Sequence, residues 1–121
     1  RLYPYQGGFG VLDRTLDLDP AVGPDNLLDA RGDYPRGFKA ILADPPYSEV
    51  DADHYAPGRD VYPSPNTILQ RSLDALEVGQ RVGILHYMLP QPKQRAKFIA
   101  CVGVVCGFNN RMRCYSVFEK R

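Results

Sequence analysis

Residues 38–47 read Phe38-Lys39-Ala40-Ile41-Leu42-Ala43-Asp44-Pro45-Pro46-Tyr47. Phe38 to Asp44 is an apolar run of strand length that stops abruptly at an acid and two prolines, the pattern of a buried parallel strand. Two consecutive prolines fix two φ angles, and the first pushes Asp44 into an extended conformation, so the turn after the strand is rigid. Neither proline has an N–H. The corner therefore offers acceptors almost exclusively, the Asp44 carboxylate and the neighbouring carbonyls, with the Tyr47 ring as a wall. An acceptor cluster beside an aromatic face suits a planar ring that carries an exocyclic amine.

Before this corner, Thr15 to Asp19 alternates apolar and acidic residues until Pro20 and reads as a short strand; a second is expected around Asn26 to Ala30. After it, residues 48–64 are polar, rich in proline and tyrosine and without a period, which predicts a long loop. Ser64 is a candidate N-cap with Pro65 at N1. Ile68, Leu69, Leu73 and Leu76 follow at helical spacing, predicting a helix that runs until Gly79. Arg81 to Met88 reads as another buried strand. Gln94 to Phe108 is expected to be a helix from its length and Gly107, although the run Val102, Val104, Val105 also suits a strand. Arg111 to Glu119 alternates as a sheet strand does. Strands separated by helices imply a mainly parallel α/β sheet with ligands at the carboxyl ends of its strands, where Asp17, Asp29 and Asp44 would share one rim.

The 121 residues, 44% apolar and 24% charged, fit one domain spanning 1–121, with 1–14 an irregular N-terminal segment. No apolar run approaches the roughly 20 residues that span a bilayer, and a soluble, cytoplasmic protein is expected. Cys101, Cys106 and Cys114 lack paired spacing and are expected to be free thiols. The net charge of +1 hides an asymmetry: residues 1–60 carry 11 acids and 6 bases, residues 61–121 carry 3 acids and 9 bases. A basic C-terminal half is compatible with nucleic acid and equally with a solvated face.

The tetrapeptide Asp44-Pro45-Pro46-Tyr47 at a strand end resembles the DPPY motif of the S-adenosylmethionine-dependent amino methyltransferases that modify N6 of adenine or N4 of cytosine. The resemblance implies an α/β, Rossmann-like fold, nucleic acid as partner, and roles for individual residues. Asp44 and the Pro45 carbonyl would accept the two amine hydrogens, Pro46 would hold the turn, and Tyr47 would stack on the extracted base. Thr15 to Pro20 looks like the family's second strand, where Asp17, with Asp19 its neighbour, would bind the cofactor ribose. Leu28-Asp29-Ala30 looks like the end of the third strand, where Asp29 and the Ala30 amide would contact the cofactor adenine. N6 of adenine is the expected target.

One departure stands out. The family places a strand, a glycine-rich loop and a helix before its second strand, whereas only 14 residues precede Thr15 here, and Gly7-Gly8-Phe9-Gly10 reads more naturally as a turn. The fold is therefore expected to be truncated on its N-terminal side, and a homo-oligomer or partner chain could complete the cofactor pocket. The alternative is a non-catalytic relative that binds nucleic acid or a protein. Tyr55, Arg59, Tyr62, Arg111 and Arg113 are the candidate nucleic-acid contacts, with Lys93, Arg95 and Lys97 as possible phosphate contacts. Asp51, Asp53 and His54 match no metal motif, and no metal site is expected. His86, in an apolar strand, reads as a hydrogen-bonded core or rim histidine.

Overall fold

A computed structural model describes residues 9–107 and 109–121. Gly7 and Gly8 of the glycine cluster lie outside the described residues.

Strands β1 (Leu16–Asp17) and β2 (Asn26–Leu27) form a two-stranded parallel pair, with Leu16 opposite Asn26. Thr15 and Asp25 clamp its open end: the Thr15 amide and hydroxyl both donate to Asp25 Oδ2, at 2.7 and 3.0 Å, and the Asp25 amide donates back to Thr15 Oγ1. Pro20 ends β1 and starts a 3-10 turn over Pro20–Val22, capped by Asp19 Oδ1 at 2.8 Å from the Ala21 amide. Gly23 closes the turn at φ +62°, a conformation that favours glycine.

The main sheet has the order β3-β4-β6-β5, formed by β3 (Ala40–Ala43), β4 (Arg81–His86), β5 (Ala96–Cys106) and β6 (Asn109–Lys120). β3 and β4 are parallel; β4–β6 and β6–β5 are antiparallel. The sheet is thus mixed rather than mainly parallel. The reason is the segment Gln94 to Phe108, expected as a helix: it forms β5, the first arm of a long hairpin with β6. Its β-branched run outweighs its helix-like length because an adjacent strand is available to satisfy its backbone. Free thiols are confirmed at Cys101 and Cys114.

Between β3 and β4 the chain makes two helices. The predicted long loop 48–64 contains α1 (Glu49–Tyr55), which Ser48 starts: its Oγ accepts the Asp51 amide at 3.1 Å and donates to the Asp51 carboxylate at 3.0 Å. α2 (Pro65–Ala75) begins where predicted, with Ser64 Oγ accepting the Thr67 amide at 3.1 Å, and ends four residues before Gly79. Leu76, its C-cap, turns to extended backbone, and Gly79 at φ +84° donates to the Lys120 carbonyl.

α2 lies on one face of the sheet. Its Ile68, Leu69 and Leu73, with Leu76, pack on Val82, Ile84, Ala96 and Phe118, with Ile41 and Ala43 at the edge. Register explains the selection: Ile41 pairs with Val82, Val82 with Phe118, and Ile84 with Ser116, so one side of each strand faces the helix. The opposite side is bare at Leu42, which is 77% exposed, and at Val102. Among the described residues, no helix is long and apolar enough to cross a membrane.

Candidate active site

Parallel pairing of β3 and β4 puts their carboxyl ends side by side, so the corner after β3 meets the residues that leave β4. Asp44 stands exposed at the end of β3. The Tyr47 hydroxyl donates to Asp44 Oδ1 at 2.7 Å, closing the corner on itself. Burial and this bond to the carboxylate together hold the Tyr47 phenol well above its usual pKa.

Aromatic and cationic groups surround the Tyr47 ring. Tyr87, just past β4, lies 4.6 Å away by ring centroids, tilted by 51°; His86 meets it edge-on at 5.4 Å and 82°. From the start of β6, the Arg113 guanidinium sits over the ring, 5.2 Å from its centroid. Arg111 reaches Tyr87, and the hydrogen bond between them raises the guanidinium pKa further.

His86 is fully buried, and burial holds its imidazole below the ordinary histidine pKa. Nδ1 accepts the Met88 amide at 3.0 Å. The Pro46 backbone and the Asp44 carboxylate push the other way, toward the charged ring, and burial outweighs them. Tyr62 lies behind the corner: its hydroxyl donates to the Tyr47 carbonyl at 3.4 Å and sits 3.5 Å from His86 Nε2.

One cavity of about 1060 Å³ joins these groups to the β1–β2 pair. Asp17, Asp19, Asp29, Ala30 and Asp44 to Tyr47 all line it. Tyr55 and Arg59 of the α1 region line it too, as do Tyr87, Arg111 and Arg113. Every residue expected at the cofactor, the corner or the nucleic acid lines this cavity except Tyr62, which braces the corner from behind, and the possible phosphate contacts Lys93, Arg95 and Lys97. Of the other basic candidates, Arg95 is committed elsewhere, to Gln70 and Asp74 at 2.6 Å each.

Asp17 and Asp29, the two acids expected at the cofactor, are already engaged. Asp17 Oδ1 accepts the Asp19 amide at 2.9 Å. Asp29 accepts the Arg31 amide at 2.8 Å and its guanidinium at 2.8 to 3.2 Å, and this pairing lowers the carboxyl pKa. Arg31 Nη1 also donates to the Asp60 carbonyl, tying the end of the β2 segment to the loop before α2. A carboxylate has about four lone-pair sites, so both acids keep acceptor capacity toward the cavity. Among the described residues no cluster of histidine, cysteine and carboxylate side chains has metal-binding geometry.

Sequence reasoning missed Tyr87 and Arg31, and it read His86 without its edge-on contact with the Tyr47 ring. Tyr87 had a positional signal: it follows a buried strand parallel to the one that ends in Asp44. Arg31 had a weaker one, two residues from an acid at a strand end.

No known protein family's profile matches the chain, and no curated protein matches it. Among solved structures it is similar to the crystal structure of TrmN from Thermus thermophilus, with 22% sequence identity and a TM-score of 0.54. The alignment covers 78% of this chain and 27% of TrmN, so the chain spans about a quarter of that protein's length. The shared architecture is a mixed α/β fold.

Proposed function

We propose that this chain carries the catalytic corner of an S-adenosylmethionine-dependent methyltransferase that acts on an exocyclic amino nitrogen of a nucleic-acid base, N6 of adenine. The observation that carries the reading is the corner itself. Asp44, Pro45 and Pro46 stand at the carboxyl ends of two parallel strands and line a cavity that Asp17, Asp29 and Ala30 also line. The α/β fold shared with TrmN supports it.

The cavity's polar groups fit the cofactor. Asp17 is suited to ribose hydroxyls, and Asp29 with the Ala30 amide to an aminopurine edge; the bound cofactor would supply an electrophilic methyl group. The chain's own contribution is to orient the amine. An aryl amine's lone pair is delocalised into its ring, so acceptors on both hydrogens favour a pyramidal nitrogen with its lone pair exposed. Asp44 and the Pro45 carbonyl are such acceptors, and the double proline keeps them from turning away. The rate comes from placement at about 3 to 3.5 Å rather than from a strong base. Extracting a paired base costs a few kcal/mol, which stacking in the Tyr47 and Tyr87 enclosure offsets in part. Arg113 covers Tyr47 and is placed to exchange the ring for a phosphate or the base as the target enters.

The test is methyl transfer from radiolabelled S-adenosylmethionine to single-stranded DNA and RNA, comparing the parent with Asp44→Ala and Tyr47→Ala. Loss of about a hundredfold in kcat for Asp44→Ala is expected, the scale of one preorganised polar contact. Activity surviving both changes removes the corner from the mechanism.

A further inference from the structure

His86 is the one buried titratable side chain among the described residues that touches the corner without lining its cavity. It occupies the last position of β4, opposite Cys114 of β6. A polar ring in that place must be satisfied from within the protein, because an unpaired buried polar group costs about 1 to 3 kcal/mol. Its contacts divide cleanly. Nδ1 accepts the Met88 amide at 3.0 Å, which requires a lone pair there, so in the neutral ring the proton sits on Nε2. Tyr62 approaches the same nitrogen at 3.5 Å and also holds the Tyr47 carbonyl, while the ring edge backs Tyr47.

We propose that His86 is a positioning residue for amine methylation: its neutral Nε2–H tautomer holds the Tyr62 hydroxyl against the Tyr47 carbonyl while its ring edge backs Tyr47, and so fixes the acceptor corner where the amine must arrive. The consequence for catalysis rests on the methyl-transfer reading above. Protonation would put a donor on Nδ1 against the Met88 N–H, two donors face to face, and release that end of the strut. The groups that face the ring are Asp44 at the end of β3, Tyr47 of the corner, Tyr62 before α2, Tyr87 after β4 and Cys114 on β6, with Arg113 beyond Tyr47. Asp44 favours the charged ring, whereas burial opposes it and dominates.

Two measurements decide it. Long-range proton–nitrogen correlation spectra of the full chain, labelled at histidine, are expected to show His86 as the neutral Nε2–H tautomer at pH 7, still neutral below the ordinary histidine range. An Nδ1–H tautomer, or a charged ring at pH 7, overturns the proposal. In the methyl-transfer assay, His86→Phe is expected to lower kcat about tenfold, the scale of one lost hydrogen bond, with KM for S-adenosylmethionine unchanged. His86→Gln, whose amide N–H reaches the Nε2 position, is expected to recover most of that loss and to remove the acid limb of the parent's pH profile. Equal losses in both folded variants, or no loss in His86→Phe, contradict it. If the parent transfers no methyl group, the methyl-transfer reading falls, and the strut is judged on the Tyr47 ring resonances. His86→Phe should shift them and His86→Gln leave them in place; resonances that stay put in both variants overturn the strut.

Discussion

The Tyr47 hydroxyl donates a 2.7 Å hydrogen bond to Oδ1 of Asp44, so the first and last residues of the DPPY corner hold each other across the double proline. The bond pre-shapes the corner and also occupies one of the lone pairs that a target amine would use. Tyr47→Phe separates these effects, because it keeps the ring and removes the donor. The expected fall in kcat is no more than about tenfold, one net hydrogen bond. Tyr47→Ala should cost more, since it also removes stacking worth about 1 to 3 kcal/mol per base. Steady-state methyl-transfer kinetics of the two variants check the order.

Alkaline stability reports the buried phenols. Burial pushes the Tyr34 phenol, whose hydroxyl donates to the Ala30 carbonyl at 2.7 Å, up to about 12, and Tyr47 is raised further. For a group whose folded pKa exceeds its unfolded value, the unfolded chain loses its proton first. The stabilisation is therefore intact below pH 10 and is lost as pH rises from 10.0 toward about 12. Circular dichroism melts across that window should show a steep fall in Tm for the parent and a shallower one for Tyr34→Phe.

The bare face of the sheet has one tight contact, where Tyr115 of β6 lies across Gly83 of β4. A β-carbon at Gly83 would come within 2.7 Å of the Tyr115 ring at Cζ. Gly83→Ala is expected to cost about 1 to 3 kcal/mol by overpacking. In combination with Tyr115→Ala the costs should fall short of additive, since the second change removes the obstacle. Urea unfolding of the single and double variants gives the coupling.

Ser64 is the hinge between loop and core. Its Oγ accepts the Thr67 amide at 3.1 Å, and Ser64→Ala is expected to cost about 1 kcal/mol, read as a lower urea midpoint at constant m-value.

What the sequence made legible was local chemistry. Ser64-Pro65 and the Ile68, Leu69, Leu73, Leu76 stripe define α2 without reference to the rest of the chain, and Asp44-Pro45-Pro46 stops β3 by the same kind of local rule. α1 was within reach: Ser48 and Asp51 stand three residues apart, as in a capping box, but the prolines and tyrosines that follow mask so short a helix. β5 was not legible, because both faces of this edge strand carry apolar residues, and only its pairing with β6 distinguishes it from a buried helix. Within the site, the acids at the strand ends could be read from position. The encirclement of Tyr47 by His86, Tyr87 and Arg113 could not, because it depends on β4 and β6 bringing residues some 40 to 66 positions distant to one corner.

The central claim is that this corner grips the NH2 group of a base. The full chain, incubated with S-adenosylmethionine and an unpaired adenine-containing oligonucleotide that is then digested to nucleosides, yields to mass spectrometry the position of any added methyl. The account predicts a methyl on N6 of adenine, absent when Asp44→Ala replaces the parent. A methyl found only on a ring nitrogen, or an exocyclic methyl formed equally well by Asp44→Ala, would contradict it.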